Sequence, residues 1–140
     1  MKIIILSSIA LFFVFFTTPL EAQTQVEPNK NNYVVLTRKI PQLQPIILSA
    51  EALAEEDGEK FGNFKAIICG KTVQELSNKE AIKPFIEKAK KANVEILICG
   101  FSLNKFGVDR NELPEELKVV ENGILYNLQL QKQGYLSIEL

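Results

Sequence analysis

The sequence predicts an α/β protein, a three-layer α/β/α sandwich around a mainly parallel five-stranded sheet. Three observations carry this reading. Short apolar runs recur along the chain, at Tyr33-Val34-Val35-Leu36, Phe64 to Cys69, Val94 to Cys99, Lys118-Val119-Val120 and Tyr135 to Glu139. Segments with helical apolar spacing separate most of them, an alternation that builds a parallel sheet covered on both faces. The 140 residues also suffice for one domain with a genuine core and are too few for two.

The elements follow in order. After the first strand, Leu43, Ile46, Ile47, Ala50, Leu53 and Ala54 recur at helical spacing, with Pro45 tolerated in the first turn and Gly58 placed to end the helix. Phe64 to Cys69 is the second strand, closed by Gly70. Ile82, Phe85, Ile86 and Ala89 mark a second helix, whose regular part Pro84 sets to begin there, with Ser77 and Glu80 capping an earlier turn. The third strand ends at Cys99-Gly100 and leads into a short helix from Phe101 to Phe106, with a turn at Gly107. A polar stretch runs through Pro114 to the fourth strand. A helix from Asn122 to Gln133, carrying Ile124, Leu125 and Leu128 inward and ending at Gly134, precedes the last strand.

The first residues carry a different signal. Lys2 precedes an apolar stretch from Ile3 to Phe16, broken only by Ser7 and Ser8, and a polar segment follows. Fourteen residues fall short of the about 20 needed to cross a bilayer, so this reads as an export signal cleaved after Ala22. Residues 1–22 are then a signal peptide, 23–32 a disordered leader and 33–140 the α/β domain. No Cys follows the cleavage site to accept a lipid, so no membrane contact is expected once the signal is removed, and the expected compartment is periplasmic.

Composition excludes several function classes. Formal net charge is −1, and removing Lys2 and Glu21 with the signal leaves it unchanged, so no nucleic-acid partner is expected. The cluster Lys88, Lys90, Lys91 reads as a solvated helix face. Histidine is absent, which removes Ser-His-Asp, Cys-His and His-metal mechanisms. Thr37-Arg38-Lys39-Ile40-Pro41 follows the first strand without a glycine, so no nucleotide or flavin cofactor is expected, and no spacing suits a metal.

Two cysteines, Cys69 and Cys99, remain as nucleophiles, and both end strands. Ligands of open α/β sheets gather at the carboxyl ends of the strands. Cys99 faces the N–H groups of the following turn, which favour a thiolate, and is the candidate reactive residue. Lys71 and Lys105 lie close enough in sequence to be candidates for stabilising that thiolate. In an exported protein, two cysteines equally suit a structural disulfide.

Several local features carry a family resemblance. They are Val94-x-Ile96-x-Ile98-Cys99 followed by Ser102-Leu103, then Gly107-Val108, Leu113-Pro114, Asn122-Gly123-Ile124 and Gln133-Gly134-Tyr135. In these the chain resembles the DsrE-like (DsrE/DsrF-like) sulfur-relay family, particularly its exported single-domain members. The resemblance implies a layered α/β/α fold, a homo-oligomer, and sulfane sulfur carried as a persulfide on Cys99. It also implies that the second and third strands are neighbours, which puts their ends about 4.8 Å apart, within reach of a disulfide.

Cys69 then has three open readings: a packed core residue, a disulfide partner, or a redox partner that attacks a modified Cys99. For the whole protein, the expected function is relay of sulfane sulfur, with a thiol-bearing donor or acceptor protein as partner. The alternative is a non-catalytic oligomeric module that binds a ligand or partner, with structural cysteines. A thiol-disulfide oxidoreductase fits less well, since the cysteines are thirty residues apart rather than in a Cys-x-x-Cys pair.

Overall fold

The computed structural model describes residues 29–140. The signal segment and positions 23–28 of the leader lie outside the described residues. The elements are β1 (Asn31–Thr37), α1 (Leu43–Asp57), β2 (Phe61–Ile68), α2 (Lys79–Lys91), β3 (Val94–Cys99), α3 (Gly100–Lys105), β4 (Lys118–Val120), α4 (Gly123–Lys132) and β5 (Leu136–Glu139). Short 3-10 turns occupy Ile40–Gln42, Gly58–Lys60, Lys71–Ser77 and Arg110–Glu112.

The strands form one five-stranded sheet in the order β4-β3-β2-β1-β5, every pair parallel. From β1 to β4 the chain steps in one direction across the sheet, whereas the step from β4 to β5 returns over three strands to the far edge. Crossovers between parallel strands are right-handed, so this reversal puts α4 on the face opposite α1 and α2. The two cores bear it out. On one face Leu43, Ile46, Ile47 and Ala50 of α1, Ile82 and Ala89 of α2 and Leu103 of α3 pack on Val35, Phe64, Ala66, Ile68, Ile96 and Ile98. On the other, Leu130 of α4 and Tyr135 pack on Val34, Leu36, Ile67, Cys69, Leu97 and Cys99.

Several boundaries depart from the sequence reading, among them the starts of β1 and α2. β1 begins at Asn31, inside the leader expected to be disordered, because Asn32 is buried and its Oδ1 accepts a hydrogen bond of 2.8 Å from the Asn63 N–H of β2. α2 begins at Lys79 rather than at Pro84: Asn78, not Ser77, is the N-cap, and its side chain accepts from the Ala81 N–H. Pro84 then lies within the helix, where its missing N–H falls on an exposed stretch that water can reach.

α4 departs furthest. Ile124, Leu125 and Leu128, expected inward, are 56 %, 52 % and 53 % exposed, while Gly123, Asn127 and Leu130 are buried. The reason is the sheet face beneath it, which carries polar side chains as well as apolar ones. Asn127 Oδ1 accepts from the Ser137 hydroxyl at 2.9 Å, and the small Gly123 sits against the strand ends.

The same face holds a buried ion pair. Lys65 of β2, 5 % exposed, binds Glu95 of β3, which also receives Lys118 of β4 at 2.7 Å. Burial raises the Glu95 carboxyl, but the two lysines outweigh it and hold the group below its ordinary value. Removing the carboxylate leaves the buried Lys65 charge uncompensated, whereas an apolar side chain of similar length at position 65 removes that buried charge and leaves Glu95 still paired with Lys118. Glu95→Gln is therefore expected to destabilise the fold by about 3 kcal/mol in denaturant unfolding, and Lys65→Met to be neutral or stabilising. Because the folded carboxyl is depressed, its contribution is present above the unfolded value of about 4.3 and is lost as pH falls through the lower folded one. The deficit of Glu95→Gln relative to wild type should thus shrink in acid.

Candidate functional site

β3 delivers the site. Its apolar run, buried almost throughout, is clamped between β2 and β4, and its last residue, Cys99, pairs in register with Val120. The chain leaving β3 enters α3 on the α1 face, while the chain leaving β4 enters α4 on the other. Cys99 therefore stands where adjacent strands send their connections to opposite sides, the position at which open α/β sheets form a crevice.

β2 brings the second sulfur. Its pairing with β3 runs to Ile68 opposite Ile98, so Cys69 is the next residue on the neighbouring strand line and shares its face with Cys99. The Cys69 N–H still bonds the Thr37 carbonyl of β1 at 2.9 Å, which holds it in the sheet. The chain then turns at Gly70 with φ +80°, a conformation that L side chains rarely adopt, and the Arg38 side chain lies at ordinary contact distance, 3.5 Å, from where a Cβ would be. Both cysteines are free thiols, and both lie against the position that a Cβ at Gly123 would take.

α4 closes the site. Its N-cap, Asn122, accepts the N–H groups of Ile124 and Leu125 at 3.1 Å each, which leaves the Gly123 N–H to donate to Cys99 Sγ at 3.3 Å. That contact requires glycine. A Cβ at 123 would lie 2.6 Å from Cys69 Sγ, 2.9 Å from Ile67 Cγ2 and 3.1 Å from Cys99 Cβ. The approach is fixed from outside by the Phe101 N–H, which donates to the Glu121 carbonyl at 2.8 Å, and by the two-pronged pair of Arg110 with Glu121 at 2.9 and 3.0 Å. From α3, the Ser102 hydroxyl accepts the Gly70 N–H at 2.9 Å, tying the loops behind the two cysteines together.

The two thiols differ sharply in acidity. For Cys99, burial pushes the pKa up, but the Ser102 hydroxyl, the Gly123 and Ser102 N–H groups and the Cys69 thiol all favour the thiolate, and the net value falls below the ordinary one. For Cys69, burial, the neighbouring Cys99 charge and the hydrogen bond to it push the value up to about 12, against a smaller opposing pull from Arg38. Cys99 is thus the more acidic of the two sulfurs, and Cys69 the one that holds its proton.

Neither sulfur reaches the surface of the fold: Cys99 is 3 % exposed and Cys69 5 %. The reason is α4, whose first turn covers both sulfurs. The lysines singled out from sequence lie elsewhere. Lys105 sits over the Phe106 ring at 5.7 Å, and Lys71 lines a cleft of about 690 Å³ with Arg38, Lys39, Gln42, Gln74 and Glu75, between the loops after β1 and β2. The groups acting most on Cys99 are Ser102, Gly123 and Cys69. Ser102 and Gly123 were part of the motif but had been given no role. A hydroxyl three residues after a strand-end cysteine and an Asn-Gly pair opening a helix were the available signals. Among the described residues no three His, Cys, Asp or Glu side chains stand close enough to hold a metal ion.

The glycine contact gives a direct test. Gly123→Ala is expected to lower stability by about 2 kcal/mol in denaturant unfolding, because the Cys69 sulfur, a buried isoleucine and the Cys99 Cβ surround the added methyl. Combining it with Cys69→Ala, which removes the nearest atom, should restore part of that loss; full additivity of the two substitutions would show that the sulfur is not the obstacle.

Comparison with curated proteins finds no match. Among solved structures the chain is similar to MTH1491, a protein of unknown function from Methanobacterium thermoautotrophicum. The TM-score is 0.59 at 16 % identity, over 79 % of this chain and 100 % of that one. It is also similar to BT1422, a conserved protein of unknown function from Bacteroides thetaiotaomicron, with TM-score 0.57 at 15 % identity, over 78 % of this chain and 95 % of that one. At such identities the likeness is one of fold. A protein-family model described as the DsrE/DsrF-like family matches residues 11–138, nearly the whole chain, and the protein belongs to that family.

Proposed function

We propose that the protein carries sulfane sulfur as a persulfide on Cys99, receiving it from one thiol-bearing donor and passing it to another. The observation that carries this reading is the set of donors aimed at one sulfur. Ser102, the Gly123 N–H and Cys69 hold Cys99 below the ordinary thiol value in spite of burial. A thiolate is the species that attacks a sulfane donor, and such exchange needs no histidine to move a proton. Delivery requires the first turn of α4 to move aside, since that turn is what covers the sulfur.

The apolar stretch Ile3 to Phe16 and the cleavage site at Ala22 support export to the periplasm as part of the same proposal. Among the described residues no helix is long and apolar enough to cross a membrane.

A second reading is favoured by burial. With both cysteines covered, the protein would be a non-catalytic module that binds a ligand or partner while the thiols serve packing. The two readings separate on the Cys69→Ser protein, in which Cys99 is the sole thiol. Treated without oxygen with inorganic polysulfide, it is expected to gain about 32 Da, located by peptide mass spectrometry on the segment containing Cys99. No gain in a folded sample would leave the binding module as the standing account.

Self-association belongs to the proposal as well. Ile124, Leu125 and Leu128 on α4 are exposed apolar side chains on the side of the molecule that covers the thiols. Leu136, Ile138 and Leu140 are exposed along β5, which pairs on its outer edge with no strand among the described residues and borders a groove of about 390 Å³ against α1. Apolar exposure of this kind marks association surfaces. Light scattering is expected to report a homo-oligomer, and Leu128→Lys, at a position outside the core, is expected to shift it toward smaller species with the circular dichroism unchanged; a wild-type monomer would refute the assignment.

A further inference from the structure

We infer that Cys69 is a resolving thiol, which discharges a persulfide on Cys99 as hydrogen sulfide and leaves a disulfide between the two cysteines. The inference rests on the persulfide reading and deepens it: the protein would then not only pass sulfur on but reduce it.

Placement carries the argument. Cys69 and Cys99 follow paired residues Ile68 and Ile98 on adjacent strands and belong to the same buried cluster. Neighbouring strand positions are about 4.8 Å apart, inside the range a disulfide spans without backbone movement. Both side chains crowd the space that a Cβ at Gly123 would occupy, with Cys69 Sγ at 2.6 Å and Cys99 Cβ at 3.1 Å from it. Packing alone would accept any small apolar residue beside Cys99. A second thiol in contact with it adds a nucleophile at the one place where attack on a Cys99 persulfide is possible.

The chemistry balances in two steps. In the first, the Cys99 thiolate attacks the sulfane sulfur of a polysulfide or persulfide donor; a sulfur–sulfur bond forms on Cys99 and the donor leaves as a thiolate or shorter polysulfide. In the second, the Cys69 thiolate attacks Cys99 Sγ. The Cys69–Cys99 bond forms, the bond from Cys99 Sγ to the outer sulfur breaks, and that sulfur departs with the electron pair as hydrosulfide. The sulfane sulfur is reduced to sulfide, the two thiols are oxidised to a disulfide, and the proton of Cys69 ends on the departing sulfide or on water. An external dithiol then restores the thiols.

Loading itself would prepare the second step. While Cys99 is a thiolate, its charge helps to keep Cys69 protonated. Once Cys99 Sγ is bonded to a second sulfur, the negative charge sits on the outer sulfur, one bond farther from Cys69, so that restraint is weaker, and Arg38 still favours the Cys69 thiolate. The resolving thiol is thus more readily ionised once there is a persulfide to resolve. In-line displacement sets one further requirement, that the outer sulfur lie on the side of Cys99 Sγ away from Cys69.

The test compares reduced wild type with Cys69→Ser and Cys69→Ala, each treated with inorganic polysulfide without oxygen and analysed by non-reducing intact-mass measurement. Wild type is expected to end about 2 Da lighter than the reduced chain, with a Cys69–Cys99 disulfide in the peptide map and hydrogen sulfide released. The two variants are expected to hold the gain of about 32 Da on Cys99. Wild type that retains the added sulfur without forming the disulfide overturns the inference and leaves the persulfide reading intact. Variants that remain folded but take up no sulfur overturn the persulfide reading itself, and the inference with it. Using two replacements at position 69, with melting curves for each, keeps a folding defect from being taken for lost chemistry.

Discussion

The contact on which this structure depends is the approach of a helix N-terminus to a strand-end sulfur. Gly123 touches Cys69, Ile67 and Cys99 closely enough that a single methyl would not fit. That approach fixes where α4 begins, and α4 is the element that covers its side of the sheet. It also gives Cys99 the N–H that favours its thiolate. Packing and electrostatics are satisfied by one residue with no side chain, so the two cannot be tuned separately.

The placement of α4 follows from the direction of the chain. Four strands laid down in one sense and a fifth returned to the opposite edge leave one helix to cover a face that α1, α2 and α3 would otherwise crowd. One helix cannot bury so wide a face alone. The sheet meets this with Lys65, Glu95 and Lys118, charges that pair with one another under the helix. The helix meets it by turning its larger apolar side chains outward, an arrangement that would be poor in a monomer and is suited to a surface awaiting another chain.

Much of the fold could be read from the sequence because it depends on local rules. Leu43, Ile46, Ile47 and Ala50 set α1 by spacing, and the apolar runs set β3 and β4 to the residue. Where local rules failed, a tertiary contact had prevailed. The apolar residues of α4 gave the right element and the wrong face, since what the helix meets depends on side chains from strands far apart in sequence. Asn32 was read as part of a flexible leader because its partner, Asn63, lies on β2. At the site, Cys99 was recognisable from its place at a strand end. Its acidity was assigned to the turn that follows, although the six-residue α3 supplies only part of the effect. The remaining donor comes from Gly123, 24 positions away, and no spacing rule connects the two.

The inequality of the two thiols is the least expected consequence of this geometry. Cys69 and Cys99 end neighbouring strands, follow similar apolar runs and precede glycines, so symmetry of environment would have been a fair assumption. What separates them is the third dimension. Ser102 hangs from the turn that Cys99 itself begins, and the Gly123 N–H reaches Cys99 first, whereas Cys69 receives mainly burial and the field of its neighbour. Each thiol also strengthens the difference: a thiolate at Cys99 raises Cys69, and the proton kept on Cys69 is available to the Cys99 sulfur. A pair built in this way has a defined polarity, with one sulfur the more acidic and the other holding its proton, even though the backbone presents the two almost alike.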